Sequence, residues 1–182
     1  MHLSNYHSHC SFCDGRSMPE EFVKFALAKS FRAYGISSHG PLPFETFWNM
    51  SAFDMPEYLV EISRLKDKYQ GHLEIYTGME IDYLDTTYNP SIPYFQSLPL
   101  DYRIGSVHFL PIATELCEAN MVCIDGPFSE FKQAVDTYFE GDIRKMVKRY
   151  YESSIRMVEL GGIDIVGHLD KIYMNGQRCK DF

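Results

Sequence analysis

The chain is expected to fold as an α/β protein built on a parallel sheet or barrel. Apolar runs of strand length alternate with amphipathic runs of helix length along it. The polar residues that stand out, chiefly histidines, fall mostly just after the strand-like runs, where parallel α/β folds gather their chemistry. The length of 182 residues suits a single domain spanning 1–182, and the 45% of apolar residues suffices for a core.

The first strand is expected at residues 3–6, running directly into His7. Ser17 with Glu20 three residues later has the spacing of a capping box, and Pro19 suits a first helical turn. The helix so started is expected to reach about residue 31, with Phe22, Phe25 and Ala26 on one face. Residues 33–38 read as the next strand, ending at His39. Asp54 and Glu57 mark another helix start; Tyr58, Ile62, Leu65 and Tyr69 follow at helical spacing, and Gly71 is a stop signal. A third strand over 73–77 continues through Gly78 toward Glu80, and a fourth over 102–107 delivers His108. Helices are expected over 127–139 and 142–160, and a short buried strand over 163–166 delivers His168.

Net charge is −8 and the sequence pI is near 5.3, a poor match for a long nucleic-acid backbone. A small phosphate is a different matter, because bound metal ions reverse the local field. No apolar run reaches the ~20 residues of a membrane helix, and Met1 to His7 has neither the basic flank nor the apolar core of a signal peptide. The expectation is a cytoplasmic protein with neither membrane nor nucleic-acid partners. Five cysteines, an odd number, point to reduced thiols; Cys10 and Cys13 form an isolated C-x-x-C, read as two incidental loop thiols.

Five of the seven histidines, His7, His9, His39, His108 and His168, lie at expected strand ends, and Glu80 lies in a similar place. Neutral imidazoles combined with carboxylates suit zinc, manganese or iron. His7 and His9 are two residues apart, so an extended backbone turns both to one side. An H-x-H by itself is equally compatible with a core or surface role. A carboxylate among apolar neighbours, as at Glu80, must be ion-paired or metal-bound. Asp14 alone reads as a solvated loop acid, and His39 before Gly40-Pro41 as a turn residue. His108 and His168, each flanked by apolar residues, are compatible with satisfied core positions; five coincidences at strand ends outweigh that reading for the group. His72 is expected at the opposite end of the fold and is set aside with His2.

Five segments carry a resemblance: Tyr6-His7-Ser8-His9, Ser37 to Leu42, Gly78 to Tyr83, Ile104 to Leu110, and Val166 to Asp170. Their order and content resemble the successive motifs of the polymerase-and-histidinol-phosphatase (PHP) family, in its histidinol-phosphatase branch. The resemblance implies a distorted (β/α)7 barrel holding up to three divalent metal ions (zinc, manganese or iron) at its mouth. It matches His7 and His9 to ligands of one metal, Glu80 to a carboxylate bridging to a second, His108 and His168 to ligands of that second, and Asp14 with His39 to ligands of a third. The implied reaction is hydrolysis of a small phosphorylated substrate, L-histidinol phosphate, in histidine biosynthesis, with Glu80, His108 and His168 as the catalytic group.

Trp48, in an aromatic and proline-rich loop with Phe44 and Phe47, is a candidate wall for the substrate, with Glu45 a candidate partner for its amine. Arg103 and Lys171 are candidate substrate contacts; a structural role for Arg103 and rim packing for the loop stay open. Three alternatives stand beside this reading: a related phosphoesterase acting on nucleotides or phosphoprotein, a nuclease-like domain of the kind attached to DNA polymerases, and a non-catalytic metal-binding module. The Asp-x-His motif that closes the family's site is not found in residues 169–182, and about five strands are read where the family barrel has seven. The chain is therefore expected to lack the last strands, with a homo-oligomer as one way to cover the open edges.

Overall fold

The computed structural model describes residues 3–113, 115–180 and 182. In chain order the strands are β1 (Leu3–Asn5), β2 (Phe31–Ile36), β3 (Glu74–Asp82), β4 (Tyr102–Ser106), β5 (Phe109–Pro111), β6 (Met121–Cys123) and β7 (Ile165–Val166). The α-helices are α1 (Pro19–Ala28), α2 (Met55–Lys68), α3 (Pro93–Gln96), α4 (Phe128–Tyr138), α5 (Ile143–Leu160) and α6 (Tyr173–Gly176). Two compact units divide the chain: residues 1–81 with 97–104, and residues 82–96 with 105–182. Among the described residues no helix is long and apolar enough to cross a membrane.

In the first unit β1 pairs with β2 and β2 with β3, both in parallel, and β4 follows β3 in the strand order. The sheet closes on two buried tyrosines. The hydroxyl of Tyr58, fully buried on α2, lies 2.7 Å from the carbonyls of both Ile36 and Gly78, and so ties β2 to β3. Tyr102 donates to the Tyr6 carbonyl at 2.6 Å. Its ring fills the space left by Gly35 and Gly78, where an added Cβ would come within 2.2 Å of it. Helix α2 is held by the stripe read from the sequence, with Tyr58, Ile62 and Leu65 fully buried at helical spacing.

Helix α1 departs from expectation in three ways. It starts after Met18, and no side chain caps it, so the Ser17–Glu20 capping box does not form. Glu20 instead accepts from Arg64, Lys68 and Tyr69 of the neighbouring helix segment, at 2.8, 2.7 and 2.9 Å. The buried face is Pro19, Val23 and Ala26 while Phe25 is exposed, and the helix ends at Ala28, freeing Phe31 to open β2. Two cations and one hydroxyl converging on one carboxylate outweigh the single bond a cap would supply.

In the second unit β7 lies against the end of β4, the Gly167 amide donating to the Gly105 carbonyl at 2.8 Å. Gly105 is small of necessity, since a Cβ there would meet Met157 and Ile163 within 2.8 Å. The core joins Phe131 and Val135 of α4 to Met146, Tyr150 and Met157 of α5. Asp142 caps α5 by accepting from the Arg144 amide, and Gly161, at φ +73°, ends it. The sequence reading missed β5 and β6, an antiparallel pair in the register Phe109↔Cys123, Leu110↔Val122, Pro111↔Met121, because three-residue strands leave too short a pattern.

Tyr58→Phe removes the hydroxyl shared by two buried strand carbonyls. We expect a loss of about 1–3 kcal/mol, measured as a lower urea midpoint with an unchanged slope.

Candidate metal centre

The ladder between β2 and β3 runs on past the end of β2. The Glu80 amide donates to the Ser38 carbonyl at 3.1 Å, the Gly40 amide donates to the Glu80 carbonyl at 2.7 Å, and His39 pairs with Glu80 in parallel register. Beyond β1, Ser8 is pinned to the next strand: its hydroxyl donates to the Gly35 carbonyl at 2.9 Å and its carbonyl accepts from the Ser37 amide at 2.9 Å. These backbone bonds bring four side chains together. Oε2 of Glu80, a fully buried residue, lies 3.1 Å from His7 Nε2, 2.9 Å from His9 Nε2 and 3.2 Å from His39 Nδ1. Asp14 Oδ1 lies 2.9 Å from the other nitrogen of His9.

A carboxylate oxygen offers about two lone pairs, so three imidazole nitrogens oversubscribe it. At least one nitrogen lone pair then points at an anion unless positive charge lies among them. Burial by itself lowers the pKa of His9, but hydrogen bonds and charge from Glu80 and Asp14 outweigh it and raise the value. A divalent cation held by this nitrogen-and-oxygen set meets the same electrostatic need, and the donors of His7, His9, His39 and Glu80 fit zinc, manganese or iron.

The second unit carries its own donor set. His108 follows β4 and His168 follows β7, and their Nε2 atoms lie 3.3 Å apart. The rings meet at an interplanar angle of 62° with centroids 4.9 Å apart. Asp82, the last residue of β3, places Oδ1 2.9 Å from His108 Nδ1 and 3.1 Å from the His108 amide nitrogen. Lys171 Nζ lies 3.1 Å from Asp125 Oδ2. Burial opposes ionisation of the Asp125 carboxyl, yet the Lys171 charge and the hydrogen bonds from Lys171 and Cys123 hold it below the usual range.

The structure thus brings His7, His9, Asp14, His39 and Glu80 together in one unit, and His108 and His168 together in the other. Asp14 bonds His9, whose ring lies 4.2 Å from that of His39 between centroids. His72 lies ahead of β3, its Nδ1 3.1 Å from the Gln70 carbonyl, with Glu80 toward the far end of that strand. Trp48 packs edge-on against His39 at 4.5 Å between ring centroids, whereas Phe47 is 99% exposed. Arg103 donates to the Leu98 carbonyl at 3.0 Å. Two residues had no role in the sequence reading. Cys13 groups with His9 and Asp14, their ligand atoms all within 4.8 Å, while Cys10 is buried against the Ser38 hydroxyl at 3.1 Å. Asp82 was signalled only by its place two residues after Glu80, on the same face of an extended strand.

Fold and donor sets together define an α/β protein with histidine–carboxylate clusters able to hold metal ions. The family model of the PHP domain matches residues 5–181, and the chain belongs to that family. It is 31% identical over 160 residues to the histidinol-phosphatase of Bacillus subtilis, covering 81% of this chain and 56% of that protein. It is 28% identical over 171 residues to a protein of Deinococcus radiodurans named "Probable histidinol-phosphatase", covering 92% of this chain and 60% of the relative. The chain therefore spans less than two thirds of the length of these relatives. A solved structure from Listeria monocytogenes shares the fold with a TM-score of 0.76 at 23% identity, covering 93% of this chain and 68% of that one. The histidinol phosphate phosphatase of Lactococcus lactis, solved with zinc, L-histidinol and phosphate, shares it with a TM-score of 0.69 at 24% identity, covering 93% and 58%.

Glu80→Gln removes the one charge that all three imidazoles face. We expect its metal content, by elemental analysis of purified protein, to fall well below that of His72→Ala, with affinity at least about tenfold weaker. Equal content in the two variants would take Glu80 out of the centre.

Proposed function

We propose that the chain is a metal-dependent phosphate monoester hydrolase acting on L-histidinol phosphate. The observation that carries this reading is the buried Glu80 carboxylate surrounded by three imidazole nitrogens within 3.2 Å. Family membership and the names of the relatives support the substrate class. Zinc, bound by the Lactococcus lactis protein, is the first candidate metal, with manganese or iron the alternatives and up to three ions in all. Action in histidine biosynthesis in the cytoplasm, and a homo-oligomeric state, belong to the same proposal.

Divalent cations bound by these donors would neutralise phosphoryl oxygens and acidify a water near neutral pH. His7, His9, His39 and Glu80 form one holding set, with Asp14 orienting His9 through Nδ1. His108 and His168 form the other. That Glu80 bridges two metal ions is part of the proposal and rests on the family resemblance alone. Hydrolysis forms a bond from water oxygen to phosphorus and breaks the ester bond, with the released alcohol taking up a proton. Lys171 is proposed to contact the phosphate from its place beside Asp125, and Trp48 to wall the substrate beside His39. Arg103 holds the Leu98 carbonyl, and no contact with substrate is assigned to it.

The test is phosphate release from histidinol phosphate against a panel of nucleotides and a phosphopeptide. Turnover confined to histidinol phosphate, abolished by a chelator and restored by zinc or manganese, is the expected result. Faster release from a nucleotide or the phosphopeptide would move the substrate elsewhere in the family, and tight metal binding without turnover would leave a binding module.

A further inference from the structure

We propose that Asp82 is a positioning residue that holds His108 in one tautomer, with the proton on Nδ1 and the lone pair on Nε2. The inference rests on reading His108 and His168 as metal ligands.

Asp82 and His108 are almost wholly buried, at 3% and 2% exposure. One carboxylate oxygen meets both the backbone and the ring of His108, at 3.1 and 2.9 Å. An ionised carboxylate only accepts, so the nitrogen facing it must carry the hydrogen. In a neutral imidazole the other nitrogen then carries the lone pair, and His108 Nε2 lies 3.3 Å from His168 Nε2. The bond to the backbone amide fixes where the carboxylate sits, and the bond to the ring fixes how the imidazole is turned. Neighbouring ladder bonds hold this clamp in register: the Tyr83 amide donates to the Ser106 carbonyl at 2.8 Å, and the Gly167 amide to the Gly105 carbonyl at 2.8 Å. Metal-ligating histidines commonly donate their second ring N–H to a carboxylate, which sets ring orientation and raises basicity.

Asp125 supplies an internal control, because it follows Ile124, whose amide donates to the His108 carbonyl at 2.9 Å, while its own carboxylate is bonded to Lys171 and Cys123. If only negative charge near His108 mattered, Asp125→Asn and Asp82→Asn would behave alike.

The experiment has two arms. In the first, nitrogen-15 NMR of the metal-free protein reads the histidine tautomers, with the His108 signals assigned by their loss in His108→Gln. Wild type should show Nδ1–H at His108, Asp82→Asn should lose that preference, and Asp125→Asn should keep it. An Nε2–H form in wild type, or an unchanged tautomer in Asp82→Asn, overturns the proposal; the wild-type measurement decides even if Asp82→Asn fails to fold. In the second, zinc affinity is measured by competition with a chromophoric chelator, and Asp82→Asn should bind about 10–100-fold more weakly. Equal affinity in a folded Asp82→Asn protein also overturns it. Absence of zinc binding in wild type would instead remove the metal reading of the site, while the tautomer arm still judges the part played by Asp82.

Discussion

Glu80 is a carboxylate with no exposure at all, near the end of a central strand. Removing such a charge from water costs several kcal/mol unless partners replace the lost hydration. The surrounding structure answers that demand. The β2–β3 ladder extends beyond its regular strands to set His39 beside Glu80, and Ser8 is bonded on both sides so that His7 and His9 reach the same oxygen. The donors come from segments far apart in the chain. Their convergence therefore depends on strand register, and register in turn depends on the tyrosine and glycine contacts deeper in the sheet.

The second unit solves a related problem with fewer parts. Two imidazoles with their Nε2 atoms 3.3 Å apart cannot both direct an N–H at each other. The Asp82 carboxylate relieves this by taking the Nδ1 proton of His108 into a hydrogen bond, which turns the lone pair outward. Here too a strand end supplies the carboxylate and the next strand's end supplies the histidine. Glu80 and Asp82 are both residues of strand β3.

The family match runs through both units, since residues 5–181 span all of these donors. The relatives named as histidinol-phosphatases are longer, and both candidate donor sets lie in the stretch matched here. Trp48 and Lys171 add polarity and shape beside them. Of the five cysteines, all free, Cys13 stands among the donors of the first set, where a thiol adds a softer ligand atom than the oxygens and nitrogens around it.

Much of this was legible in the sequence by itself. The strands leading to His7, His39, Glu80 and His108 could be read because apolar runs of strand length are local signals, and a histidine or carboxylate at their ends is a local exception; the strand before His168, read as buried over 163–166, is only Ile165–Val166 and is exposed. The stripe of Tyr58, Ile62 and Leu65 was legible for the same reason. What only the tertiary structure decided involves partners distant in the chain. Glu20 looked like a cap and became the anchor for Arg64 and Lys68, and Phe25 looked like core and faces water. Asp82 sat in a recognised motif with no role until the end of β4 placed His108 against it. Periodicity encodes which face of an element tends to be buried, whereas pairings across dozens of residues are set by ladder register and close packing, which no local pattern contains.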